Sequence, residues 1–193
     1  GAVGVFVSAS IGGLSLTDES ISSIWEAIDQ RGLPVLVHPG APPGVSEMDM
    51  ERYNLVFSVG FMFDTTLAIS RMIFDGFFDR YKKVDIIACH AGGTLPYIIG
   101  RLDTAFDNMP PCRDVISEKP STYCNRLYFD SISYTQEALE LCLHVAGSDK
   151  LLYGSDYPHN VGDMKGCLAR VNALPSEVRD AVKGGNASRL FGL

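Results

Sequence analysis

Apolar residues fall along the chain in two rhythms. Five short runs, at 3–7 (VGVFV), 33–37 (LPVLV), 84–89 (VDIIAC), 127–130 (LYFD) and 151–153 (LLY), are apolar almost throughout. Parallel strands buried on both faces read this way. Between them, apolar positions recur at helical spacing. Ile21, Ile24, Trp25 and Ile28 predict a buried helix face. Leu67, Ile69, Met72, Ile73, Phe77 and Phe78 predict one long helix over 64–81, and Leu139, Leu141, Cys142 and Leu143 another over 135–145. Further helices are expected at 94–106, at 163–174 and from Ser176 onward, with a terminal turn at 186–191. Thr17, followed by Asp18 and Glu19, is the expected cap of the first helix, which stops at Gly32 ahead of Pro34. Residues 8–16 read as a loop of small residues, 39–53 as a long loop rich in Pro, Gly, Met and acids, and 108–126 as irregular.

No linker or low-complexity stretch interrupts this order, so 1–193 is expected to form a single domain. Strands alternating with helices imply right-handed crossovers and a mainly parallel sheet. Two features argue against an open doubly wound sheet. No GxGxxG follows the first strand, and the polar residues with chemistry sit at the ends of three separate strands. The expected fold class is therefore α/β, of the (β/α)8 TIM-barrel type, with five of the eight units in hand.

Composition narrows the function. Hydrophobic residues make up 46% and charged residues 20%, an ordinary globular balance. The formal net charge is −7 and the basic residues are scattered singly, so no nucleic-acid partner is expected. No uninterrupted apolar run reaches the roughly 18 residues of a membrane span, and no membrane partner is expected. Nothing resembles a signal peptide, and GAVGVFVSA opens directly on a strand, which we read as a cut inside a larger domain. Five cysteines (89, 112, 124, 142, 167) without a CxxC pair suggest a reducing, cytoplasmic setting with no disulfide framework.

The candidate chemistry lies at strand ends. His38 closes LPVLV and precedes Pro39-Gly40; His90 closes VDIIAC and precedes Ala91-Gly92-Gly93; Asp156 follows LLYGS. Imidazole and carboxylate are ligands for zinc or a similar divalent ion, and an imidazole near neutrality also serves as general acid or base. A carboxylate behind an apolar strand must be paired, metal-bound or protonated. His159 is a candidate substrate contact or an ordinary loop histidine, and Arg101 reads alone as a surface arginine. Asp130, ending the fourth strand, is a candidate for orienting a histidine. Tyr97, Arg52 and Arg71 have only polarity and location in their favour. No G-x-S-x-G elbow or partnered cysteine points to a nucleophile.

Taken together, LPVLVHPG, IIACHAGGTLPYIIGRLD, LLYGSDYP and NASRLFGL resemble the amidohydrolase superfamily, and within it the decarboxylase-type branch. The resemblance covers nearly the whole chain. It implies that the five strands are the fourth to eighth of the barrel, with one divalent metal, commonly zinc and otherwise an ion such as manganese, at their C-terminal ends. His38 and Asp156 would be metal ligands, and His90, with Asp156, would be catalytic toward a metal-activated water. Arg101 matches an arginine that holds a substrate carboxylate in the neighbouring subunit's site, which implies a homodimer. Two departures stand out. The branch's first-strand HxH pair is absent from this sequence, and Gly40 stands where close decarboxylases tend to have tryptophan. The implied activity is non-oxidative decarboxylation of a small unsaturated or aromatic carboxylic acid. The alternatives are a hydrolase or lactonase of the same superfamily, or an inactive truncated scaffold. With two protein ligands in hand, the isolated chain is expected to bind metal weakly.

Overall fold

The structure is a computed structural model describing residues 1–193. Five strands, β1 (Val5–Ser8), β2 (Val35–His38), β3 (Ile86–Ala88), β4 (Leu127–Asp130) and β5 (Leu151–Leu152), form one sheet in which every pair is parallel. Their spatial order is their sequence order, with no point at which it reverses. An open doubly wound sheet has such a reversal. The monotonic order is the one that barrels build.

Helices occupy the connections: α1 (Ser22–Arg31), α2 (Phe61–Phe74), α3 (Phe77–Arg80), α4 (Leu95–Asn108), α5 (Gln136–Ala146), α6 (Met164–Asn172), α7 (Ser176–Asp180) and α8 (Asn186–Phe191). Alternation along the strands separates two faces. Val35, Val37, Ile86, Ala88, Leu127, Phe129 and Leu151 join Trp25, Ile69, Met72, Leu95, Leu139 and Val171 of the helices in the main core. Leu36, Ile87, Tyr128 and Leu152 point the other way, and there Ala187, Leu190 and Phe191 of α8 pack against them. On β1, Phe6 remains 61% exposed. Trp25 anchors α1: its Nε1 donates to the Leu16 carbonyl at 2.7 Å and its ring meets Phe77 edge-on at 4.8 Å. Such an aromatic pair adds about 1 kcal/mol to the area it buries.

Several expectations shift. Asp18, not Thr17, makes a cap, accepting from the Ser20 N–H at the start of a 3-10 turn (Glu19–Ile21) that leads into α1, because Thr17 turns its hydroxyl to Asp75 and Ser15. Ile24 is 52% exposed, since the stripe of α1 that meets the core is carried by Trp25 and Ile28, with Ile21 just ahead of the helix. The loop at 8–16 contains a small antiparallel pair, Ser10–Ile11 with Leu14–Ser15, turned by two left-handed glycines. The long helix starts earlier and breaks at Gly76, whose φ of +70° separates α2 from α3. The strand expected to run to Cys89 stops at Ala88 because the chain turns left-handed at His90. Gly32 ends α1 in the left-handed region as expected, and Thr135 caps α5.

The segment Arg52–Phe74 contains an 18-residue stretch of mean hydropathy 1.3 and is long and apolar enough, by length and composition, to cross a membrane. It is not an uninterrupted apolar run in the sequence, because Asp64, Thr65 and Thr66 divide its apolar stretches. In this fold it packs as a core helix, with Ile69, Met72 and Ile73 fully buried and those three polar residues enclosed beside them.

Candidate active site

The sheet register brings the strand ends together. Ser8 pairs with His38, Val37 with Ala88, Ala88 with Phe129 and Asp130 with Leu152, so residues 38, 90, 130 and 156 emerge at one end of the sheet. His38 places its Nδ1 2.9 Å from the Pro39 carbonyl oxygen. A carbonyl only accepts, so Nδ1 carries the proton and Nε2 keeps the free lone pair. Burial pushes the His38 imidazole below its ordinary pKa, and the adjacent His90 pushes the same way. A neutral ring with an open nitrogen is the form a metal ligand must take.

His90 is held by its backbone. His90 and Ala91 both lie in the left-handed region, at φ +55° and +52°. For residues other than glycine this conformation persists only where surroundings impose it. Asp130 imposes it. Its buried carboxylate accepts the N–H groups of His90, Ala91 and Ile132, each at 2.9 Å. Burial pushes the Asp130 carboxyl up from its ordinary value, and these donors and His90 oppose the push. Two glycines complete the turn. A Cβ on Gly92 would lie 2.6 Å from the Phe129 ring, and one on Gly93 2.5 Å from the Met62 carbonyl oxygen.

Asp156 also sits at positive φ, +60°, and its Oδ1 lies 3.5 Å from His90 Nε2, both side chains being only 8% exposed. His90 Nδ1 is buried without a hydrogen-bond partner. A tight turn, with the His159 N–H donating to the Asp156 carbonyl at 2.9 Å, folds His159 back over the site. The His159 ring stacks on His38 at 6.1 Å, while His90 meets His38 edge-on at 5.2 Å. His38, Asp156 and His159 each offer a ligand atom, and these atoms lie within 4.8 Å of one another. The structure thus adds His159 to the ligand-spaced set, where the sequence suggested a substrate contact. It keeps His90 beside the set, against Asp156.

A cavity of about 230 Å³ opens on these groups, lined also by Asn54, Phe57 and Phe61. A second, of about 340 Å³, lies across His90 and is walled by Met62, Pro96, Ile132, Tyr134 and Leu141. The lining aromatics of 54–61 were not singled out from sequence, because they belong to a wide helical turn without strand-end punctuation. Asp130 was a candidate for orienting a histidine, and it reaches His90 through the main chain rather than the ring. Arg101 is not brought to this cluster. It is exposed and lines a separate cavity of about 650 Å³ with Pro42, Met48, Phe63 and Leu67. Arg71 lies there too, Arg52 stacks over Tyr53, and Tyr97 is 82% exposed on the rim beside His90. All five cysteines are unpaired. Cys89 adjoins the site, but burial pushes its thiol far up, which leaves it unreactive.

Comparison with known proteins gives a consistent result. The family described as Amidohydrolase matches residues 1–193. The 2-amino-3-carboxymuconate-6-semialdehyde decarboxylase of Dictyostelium discoideum is 30% identical over 196 residues, covering 100% of this chain and 54% of that protein. The crystal structure of the 5-carboxyvanillate decarboxylase LigW from Sphingomonas paucimobilis superposes with a TM-score of 0.88 at 25% identity, over 98% of this chain and 58% of that one. A 5-carboxyvanillate decarboxylase from Novosphingobium aromaticivorans, complexed with manganese and a nitrobenzoic acid, has a TM-score of 0.86 at 23% identity, over 99% and 56%. This chain spans about half the length of the curated relatives it matches.

Proposed function

Since this chain belongs to the amidohydrolase family, we propose that it carries the greater part of the active site of a metal-dependent, non-oxidative decarboxylase acting on a small aromatic or unsaturated carboxylic acid. The observation that carries this reading is the meeting of His38, Asp156 and His159 at ligand spacing, with His90 3.5 Å from Asp156. The decarboxylases described above, one of them with manganese, support the substrate class and the ion.

The donor set fits a divalent ion. Two imidazoles and one carboxylate suit zinc or manganese, and the Nδ1 bond of His38 leaves its other nitrogen open. When bound, such an ion supplies Lewis-acid polarisation of a substrate oxygen. His38, Asp156 and His159 are the residues that would hold it. His90 and Asp156 form the proton-handling pair, and the unpartnered Nδ1 of His90 is a buried atom with bonding capacity to spare. In the reaction the bond between the substrate carbon and its carboxylate breaks. The electron pair stays on carbon, CO₂ departs, and a proton replaces it; His90 is positioned to deliver that proton. Phe57 and Phe61 offer apolar faces to a ring while the carboxylate end needs cations.

Arg101 supplies one in this reading, but to a second copy. It is exposed, remote from its own chain's cluster, and set among exposed apolar side chains, Met48, Phe63 and Leu67, of the kind a homodimer contact covers. The sheet belongs to the same picture. Helices cover its outer face, and β1 has an unpaired edge, as in a single barrel domain of which five strands are present. The free thiols support a reducing, cytoplasmic setting. The test is product analysis of the whole protein with aromatic carboxylic acids and with lactones. The proposal expects CO₂ release that stops on chelation and returns with manganese or zinc. Ring opening of lactones without CO₂ release would replace it with a hydrolase.

A further inference from the structure

Asp64 has no part in the reading above, yet it is 4% exposed on α2, and an enclosed carboxylate calls for a reason. Its Oδ2 accepts the Gly40 N–H at 2.8 Å. That N–H belongs to the same peptide group as the Pro39 carbonyl, whose oxygen receives His38 Nδ1 at 2.9 Å. Carboxylate, peptide and imidazole therefore form one chain of hydrogen bonds. The peptide group is planar and its N–H and C=O share one resonance system. A peptide whose N–H donates to an anion is a stronger acceptor at its oxygen, the ordinary cooperativity of linked hydrogen bonds.

We propose that Asp64 is a positioning residue for His38, fixing the tautomer and orientation of its imidazole through the Pro39–Gly40 peptide. Histidines that bind metals usually donate their second N–H directly to a carboxylate or to a carbonyl. Here the two are joined in series: the carbonyl touches the ring and the carboxylate stands behind it. The consequence for function rests on the reading of His38 as an ion ligand, since the relay keeps Nε2 as the free lone pair. The relay itself requires no ion.

The experiment uses the metal-free chain, labelled with ¹⁵N in its imidazoles and observed by long-range ¹H–¹⁵N correlation at about pH 8, where an ordinary imidazole is neutral. In the wild type, His38 is expected to show protonated Nδ1 and bare Nε2. In Asp64→Ala it is expected to become a mixture of tautomers while exposed His144 keeps its signals. Manganese affinity, read by the loss of the free-ion electron spin resonance, is expected to fall about tenfold. Asp64→Asn keeps the shape and an acceptor oxygen but not the charge, and is expected to fall between the two; it serves if the alanine variant does not fold. Wild-type His38 signals in a folded variant of either kind would overturn the proposal. A tautomer change with unaltered manganese affinity supports the relay and counts instead against His38 as an ion ligand.

Discussion

The two buried aspartates, Asp130 and Asp64, do different work for the two histidines. Asp130 binds no side chain of the site, but it accepts three main-chain N–H groups and so holds His90 and Ala91 in a conformation neither prefers. Asp130→Ala would leave two buried donors and one half-buried donor unpaired at once. We expect a loss of roughly 3–5 kcal/mol in urea unfolding, well beyond an ordinary surface change. Asp64 should reveal itself through pH. Burial pushes its carboxyl above the ordinary value, with the Gly40 N–H and Arg71 opposing. A carboxyl raised by folding contributes its full stability below the unfolded pKa, and that contribution is lost as pH rises through the folded one. Asp64→Asn is uncharged throughout, so its stability relative to wild type should improve steadily from pH 4 to pH 7. A flat difference between the two thermal unfolding series would contradict this. A residue that costs stability while it arranges a ligand is a familiar trade.

At the scale of elements, the turn after β3 decides how much the backbone can tolerate. Gly93 has φ +65° and no room for a Cβ beside Met62, whereas Gly100, inside α4, has nothing within 4 Å of where its Cβ would stand. Gly93→Ala should therefore cost at least about 2 kcal/mol, and Gly100→Ala should gain about 0.5–1 kcal/mol, from thermal melts of the two variants. The same contrast explains what could be read from the sequence. The strands were legible because short continuous apolar runs between polar or turn-forming segments have few other uses, and β4 at 127–130 matches its expected bounds. The strand-end positions of His38, His90 and Asp156 followed directly. Asp130's part did not, since a bond to main-chain N–H leaves no spacing pattern among side chains. The approach of His159 to Asp156 depends on a turn whose dihedral angles the residue types only permit. Likewise Ile24 obeys helical periodicity and still faces out, because periodicity gives the stripe and packing chooses its width.

At the scale of the whole molecule, the separation of Arg101 from its own chain's cluster makes a strong prediction for the complete protein. If each site draws Arg101 from a second copy, His90→Ala and Arg101→Ala variants should each be nearly inactive alone. Mixed after unfolding and refolding together, they should recover about a quarter of wild-type activity, because one site in each mixed dimer contains both native residues. No recovery would place Arg101 outside any shared site. The monotonic order of the sheet carries a further implication, for time rather than geometry. Asp156 and His159 are near neighbours in the chain and can meet early, but His38 reaches them only after every intervening strand has taken its place. Long-range parallel pairing is slow. Within this chain, capture of an ion by the three together is therefore a late event of folding, since until β5 has docked neither Asp156 nor His159 stands beside His38.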